Sequence, residues 1–85
     1  MKDRATAERQ LSASILELSA KVGYPSQMAL ARLLGVTPQY VCDMLKGRRR
    51  WGAERLDELA GKLNLPPSQI TRWHRLGAQA DGWRV

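Results

Sequence analysis

Residues 27–45 read QMALARLLGVTPQYVCDML, and this pattern predicts two short helices that meet across a three-residue corner, Gly35-Val36-Thr37. Gly35 takes a left-handed φ at the corner without the steric penalty that a Cβ brings. Ala31 is small where the two helices pack closely, and Val36 is an apolar plug between them. The stretch is therefore typical of a tight, bent helical pair.

The second helix of this pair is apolar on one side only. Thr37 is expected to act as its N-cap, and Pro38 suits the first helical position, where its missing N–H costs little. The inward face consists of Val41, Met44 and Leu45. The opposite face, at steps of three, four and seven residues, consists of Gln39, Cys42, Asp43 and Lys46. The helix therefore presents polar groups outward.

Two of these side chains, and Tyr40 beside them, have the chemistry to contact base pairs. The Gln39 amide can bond adenine through N6 and N7, and the Asp43 carboxylate can accept from cytosine N4. Tyr40 flanks them, where it would reach a phosphate or a thymine methyl group. Other roles for Asp43 stay open, since it can also orient Gln39, pair with an arginine, remain a surface carboxylate or simply reject wrong sites.

Positive charge is concentrated just after this helix. The chain carries 14 Lys and Arg against 8 Asp and Glu, a net charge of +6. Within ten positions lie Lys46, Arg48, Arg49, Arg50 and Arg55, with only Glu54 among them. Such a cluster is typical of an anion-binding face. The alternative is a solvated turn, with one arginine paired to Glu54 or Asp57.

Glycine and proline punctuation divides the 85 residues into five predicted helices, at about 6–22, 26–34, 37–46, 53–63 and 67–76. We expect an all-α, compact five-helix bundle in one domain, residues 1–85. Leu11, Ile15, Leu18 and Val22 are predicted to form the buried face of the first helix.

No helix or strand is predicted for residues 77–85. Trp73 is expected in the core and Trp51 beneath the basic loop. Trp83, in the tail, either folds back on its own domain or contacts a second copy of the chain.

Several classes of function are not expected. Cys42 is the only cysteine and His74 the only histidine, so neither a disulfide nor a metal site is predicted. A redox role for Cys42 has no partner thiol to support it. No nucleophile–base pair or Gly-rich phosphate loop suggests an enzyme, a cofactor or a small-molecule ligand. No apolar run reaches membrane-spanning length and no signal segment is visible, so a cytoplasmic protein is expected.

The segment resembles the helix-turn-helix of the phage repressor and Cro family, also called the Xre family. The matching positions are Gln27, Ala31, Gly35, Val36, Val41, Leu45 and Gly47. The five-helix layout extends the resemblance to roughly residues 6–76. It implies a lambda-repressor-like DNA-binding domain whose helix-turn-helix enters the major groove of double-stranded DNA.

The resemblance also implies roles for individual positions. Base contacts would come from Pro38, Gln39, Tyr40 and Asp43. Phosphate contacts would come from Gln27, Thr37, Lys46, Arg48, Arg49 and Arg50, and the amides that open the fourth helix would bind a further phosphate. Two positions depart from the usual pattern: Pro38 offers apolar contact only, and Asp43 directs an anion toward a polyanion.

The function implied is that of a transcriptional regulator, a repressor of phage or prophage type in a bacterial cytoplasm. The family often binds as a homodimer, with recognition helices about 34 Å apart on a pseudo-palindromic operator. With 85 residues, no separate ligand-sensing domain is expected. Two alternatives stay open: an antitoxin-like module that also binds a protein partner, and a non-specific DNA binder.

Overall fold

The computed structural model describes residues 4–81 and the side chains of residues 6–80. This part of the chain forms five α-helices and no strand. They are α1 (Arg4–Lys21), α2 (Gln27–Leu34), α3 (Pro38–Leu45), α4 (Gly52–Lys62) and α5 (Pro67–Asp81). The predicted all-helical architecture, with its order of elements, is confirmed. None of these helices is both long enough and apolar enough to cross a membrane.

The buried face predicted for α1 is correct at two positions and wrong at its end. Leu11 and Ile15 are buried, and Leu18 packs partly against the core. Val22 is 46% exposed. The helix ends one residue earlier, at Lys21, and the chain turns at once. Val22 therefore no longer follows the helical spacing that would have turned it inward.

The C-terminal boundary of α5 is also wrong in the sequence prediction. The helix continues to Asp81, past the expected end at Leu76. Gly77 does not break it, and a Cβ built there would lie 3.3 Å from Leu56 Cδ1 on α4. The glycine therefore marks a close approach of two helices, and Ala80, one turn further on, is buried. Trp83 lies outside the described residues.

Helices α1 and α5 pack together around a buried tryptophan, and α4 packs on α5. Trp73 has no exposed surface, as predicted, and its Nε1 donates to Ser14 Oγ at 2.9 Å. Gln69 Nε2 donates to the same hydroxyl at 3.4 Å. The largest side chain of the core thus has its one polar atom satisfied across the α1–α5 contact, as buried N–H groups require.

The corner between α2 and α3 is built from local hydrogen bonds. Ser26 Oγ accepts from the Ala29 N–H at 3.1 Å, which caps the start of α2. Gly35 ends α2 at φ 71°, and the Val36 N–H then donates to the Ala31 carbonyl at 3.0 Å. Thr37 Oγ1 accepts from the Tyr40 N–H at 3.1 Å and caps α3. The predicted Thr37 cap and the predicted left-handed glycine are confirmed, and Ser26 caps α2 in the same way.

Helix α4 contacts the end of α2 through the side chain of Lys62. Lys62 Nζ donates to the Leu33 carbonyl in the last turn of α2 at 2.8 Å. The same ammonium lies 3.8 Å from Glu58 Oε2. Carbonyls in the last turn of a helix have no partner within the helix, so this lysine satisfies one of them and fixes α2 relative to α4.

We expect Ala31→Leu to destabilise the protein by about 1–3 kcal/mol, because a larger side chain overpacks a well-filled core. Ala31 is 1% exposed, on the helix that packs against α3. Urea or thermal unfolding measures the change, with Ala13→Leu on the exposed side of α1 as the matched control. Equal stability of the two variants would contradict close packing at Ala31.

Candidate functional site

The outward side of α3 is organised by one carboxylate. Gln39 Nε2 donates to Asp43 Oδ1 at 2.9 Å, one helical turn apart. The Gln39 side chain is exposed, whereas that of Asp43 is only 21% exposed. Two of the four residues predicted to contact bases, Gln39 and Asp43, therefore form one hydrogen-bonded unit.

The same aspartate holds the loop that follows α3. Arg48 Nη1 lies 3.6 Å from Asp43 Oδ1, and Arg49 Nε lies 3.9 Å from Oδ2. The backbone repeats this contact, because the N–H groups of Arg48 and Arg49 point at the Asp43 carbonyl at 2.8 and 3.3 Å. Of the acidic partners that the sequence left open for an arginine, which were Glu54, Asp57 and Asp43 itself, these two arginines contact Asp43.

Both arginines remain largely in solvent while they contact Asp43. Their side chains are 65% and 54% exposed. A guanidinium carries five N–H donors, so a contact through one edge leaves others free to bind an anion from outside. The loop therefore combines a fixed backbone with accessible positive charge.

Tyr40 joins α3 to the start of α4. Its ring packs partly against the core. The Arg49 guanidinium lies 4.6 Å from the ring centroid and the Arg55 guanidinium 5.6 Å from it, both within range of a cation–π contact. Arg55 also bonds Glu58 at 2.9 Å. Arg55 belongs to the predicted basic cluster, but no role was predicted for it, because its spacing gives no sign of this contact.

Helix α1 lies beneath the basic loop. Ser12 Oγ donates to the Leu45 carbonyl in the last turn of α3 at 2.8 Å. Gly47 opens the loop at φ 80°, directly over the Glu8 carboxylate. Trp51 is buried under the loop, as predicted. The roles of Ser12 and Glu8 were missed, because a contact between residues more than 30 positions apart leaves no local pattern.

The other predicted site residues lie at the start of α2, at the two ends of α3 and in the loop that follows it. Gln27, Pro38 and Lys46 are exposed, and within residues 6–80 none of their side chains bonds to Gln39, Asp43 or the two arginines. Thr37 serves as the N-cap of α3. Arg50 is exposed in the same loop. Cys42 is a free, half-buried thiol on α3.

The start of α4 lines an open groove beside Tyr40. No side chain caps this helix, so its first-turn N–H groups are left to other acceptors. Glu54 and Glu58 line the same groove, together with Trp51 and Arg55. The groove therefore mixes anion-binding amides with carboxylates. In the described residues no group of three or more potential metal ligands occurs.

Comparison of the chain with protein-family models, with curated proteins and with solved structures finds no match to any of them. What the site does must therefore be inferred from its own geometry and charge.

Two glycines at similar φ allow a test of how the loop is supported. We expect Gly47→Ala and Gly35→Ala each to cost about 1–2 kcal/mol, because a Cβ is strained at φ 80° and 71°. Only at Gly47 would the new Cβ also meet the Glu8 side chain. The Glu8 carboxylate ends a flexible side chain that can move aside, so the two variants should cost nearly the same in thermal unfolding, and Glu8→Ala in the Gly47→Ala background should change the cost little. A markedly larger cost for Gly47→Ala that Glu8→Ala removes would contradict this and show that the Glu8 side chain is held in place beneath the loop.

Proposed function

We propose that this protein is a sequence-specific DNA-binding protein in which α2, the corner at 35–37 and α3 act as a helix-turn-helix. The proposal depends on one observation: the exposed amide of Gln39 and the exposed guanidinium groups of Arg48 and Arg49 meet at one carboxylate. Base-reading and phosphate-binding chemistry thus share a single surface. Specific recognition of a duplex requires both.

In this proposal α3 lies in the major groove. Its inner residues, Val41 and Met44, are buried, so only its polar side is available to a ligand. Gln39 would bond adenine, and Asp43 would accept from cytosine N4 where its other contacts permit. Pro38 and Tyr40 would add apolar contacts to neighbouring bases. We expect Gln39 to make the strongest of these base contacts, because its side chain is exposed whereas those of Asp43 and Tyr40 are partly covered.

Phosphate binding would come from both ends of the same surface. Arg48, Arg49, Arg50 and Lys46 are all exposed and follow α3 directly. Gln27 is the first residue of α2, and Thr37 caps α3; the amides of a helix's first turn favour anions. The open amides of α4 add a further candidate, weakened by Glu54 and Glu58 beside them.

Membership of the phage repressor and Cro family, action as a repressor and binding as a homodimer to a pseudo-palindromic operator belong to the same proposal. The residues at the corner support it, because Ala31 is buried, Gly35 is left-handed and Val36 packs against the core. A non-specific DNA binder is the second candidate, favoured by the net charge of +6 alone.

Selection from a random duplex pool separates these two candidates. A sequence-specific protein returns a consensus, and its affinity for that duplex exceeds its affinity for random DNA by about 10³-fold or more. Two half-sites in inverted repeat would support a homodimer. A pool that stays random would leave the non-specific binder, and a protein that ignores every duplex at low salt would refute the proposal.

Gln39→Ala is expected to weaken binding to the selected duplex by about 1–3 kcal/mol, because a bidentate contact to one base is lost. Binding to random DNA should change little. Fluorescence anisotropy on the selected duplex and its single-base variants would show relaxed discrimination at one base pair only. If both kinds of DNA weaken equally, Gln39 does not read a base.

Arg49→Ala should weaken binding to selected and random duplexes alike, because a phosphate contact carries no sequence information. The slope of log K against log salt should become shallower by about one unit. Arg72→Ala, at an exposed position on α5, removes the same charge and serves as the control. An unchanged slope for Arg49→Ala would remove this residue from the phosphate contacts.

A further inference from the structure

We propose that the Asp43 carboxylate determines sequence specificity in two ways. It fixes which way the Gln39 amide faces, and it weakens the binding of Arg48 and Arg49 to DNA of arbitrary sequence. The inference rests on the proposed function and assigns a role within that site. Its basis is that one partly covered carboxylate contacts all three side chains.

The first half of the inference follows from hydrogen-bond chemistry. An ionised carboxylate only accepts hydrogen bonds, so the Gln39 amide must turn its nitrogen toward Asp43. The 2.9 Å contact between Gln39 Nε2 and Asp43 Oδ1 has this geometry. One N–H and the carbonyl oxygen of Gln39 then remain for a ligand.

A donor beside an acceptor matches one purine better than the other. In the major groove adenine presents the N7 acceptor beside the N6 donor, whereas guanine presents two acceptors, N7 and O6. An amide held by Asp43 therefore pairs with adenine and places its oxygen against an oxygen of guanine. An amide free to turn would lose part of this discrimination.

The second half follows from the exposed ion pairs. Asp43 carries a negative charge within 4 Å of both arginines, 3.6 Å from Arg48 and 3.9 Å from Arg49. A DNA phosphate must compete with this charge for the same guanidinium groups. On a wrong sequence no base contact offsets the competition, so the carboxylate lowers non-specific affinity more than it lowers the affinity for a correct site.

Asp43→Asn tests both halves, because it keeps the side-chain shape and removes the charge. The backbone contacts from Arg48 and Arg49 to the Asp43 carbonyl are retained. Glu17→Gln is the matched control: it changes net charge equally on the exposed surface of α1, where Glu17 contacts only Lys21 among the ion pairs of the described residues. Circular dichroism and a melting curve establish that both variants fold.

The measurement is the Kd for the selected duplex, for that duplex with the A·T pair read by Gln39 changed to G·C, and for a random duplex of equal length. Asp43→Asn should bind the random duplex about two- to tenfold more tightly than Glu17→Gln does. Its preference for A·T over G·C should fall by about fivefold or more.

The Gln39→Ala background separates the two effects. There Asp43→Asn should still tighten binding to random DNA, but it should no longer alter the A·T preference, since no amide remains to be oriented. Asp43→Glu keeps the charge and moves it by one methylene. Asp43→Glu should therefore bind random DNA as weakly as the wild type does. If the asparagine variant does not fold, Asp43→Glu is measured in its place.

The outcomes are distinguishable. If the wild type binds no duplex, or selects no consensus, the proposed function fails and this inference fails with it. If the wild type is specific but Asp43→Asn behaves as Glu17→Gln does on all three duplexes, the inference alone is overturned.

Discussion

The burial of one side of α3 is the constraint on which the rest of the site depends. Val41 has no exposed surface and Met44 has 2%. Because a helix repeats every 3.6 residues, fixing these two inward forces Gln39 and Asp43, one turn apart, to the outside. The left-handed Gly35 makes this possible, since it lets the chain reverse after α2 and lay α3 against the same core.

Much of this framework could be predicted because its causes are local. Caps such as Ser26 and Thr37, and the glycine at the corner, act within three or four residues of sequence, so their patterns are visible in the chain. The errors have a different origin. Val22 leaves the predicted face because the helix ends one residue early, and Gly77 stays helical because packing against Leu56 on α4 favours a residue without a side chain.

The candidate site was only half predictable for the same reason. Spacing placed Gln39 and Asp43 on one face, but spacing cannot say which charged partner a flexible side chain selects. The loop turns back so that Arg48 and Arg49 donate their backbone N–H groups to the Asp43 carbonyl, which brings their side chains to its carboxylate. The two other carboxylates, Glu54 and Asp57, lie on α4, and Asp57 contacts His74 at 2.6 Å.

The strength of the contacts around Asp43 is compatible with the proposed binding of DNA, in which the arginines would exchange Asp43 for a phosphate. Exposed ion pairs are worth only about 0–1 kcal/mol each, so the arginines are oriented by the aspartate without being trapped by it. The contacts that fix the backbone are different in kind: those from Ser12 to Leu45 and from Lys62 to Leu33 join separate helices, and Trp51 is buried. Because these contacts hold the backbone of α3, the side chains of Arg48 and Arg49 could exchange one anion for another without moving the helix. Preorganisation of this kind lowers the entropic cost of binding, because the backbone that carries the contact groups is already ordered before a ligand arrives.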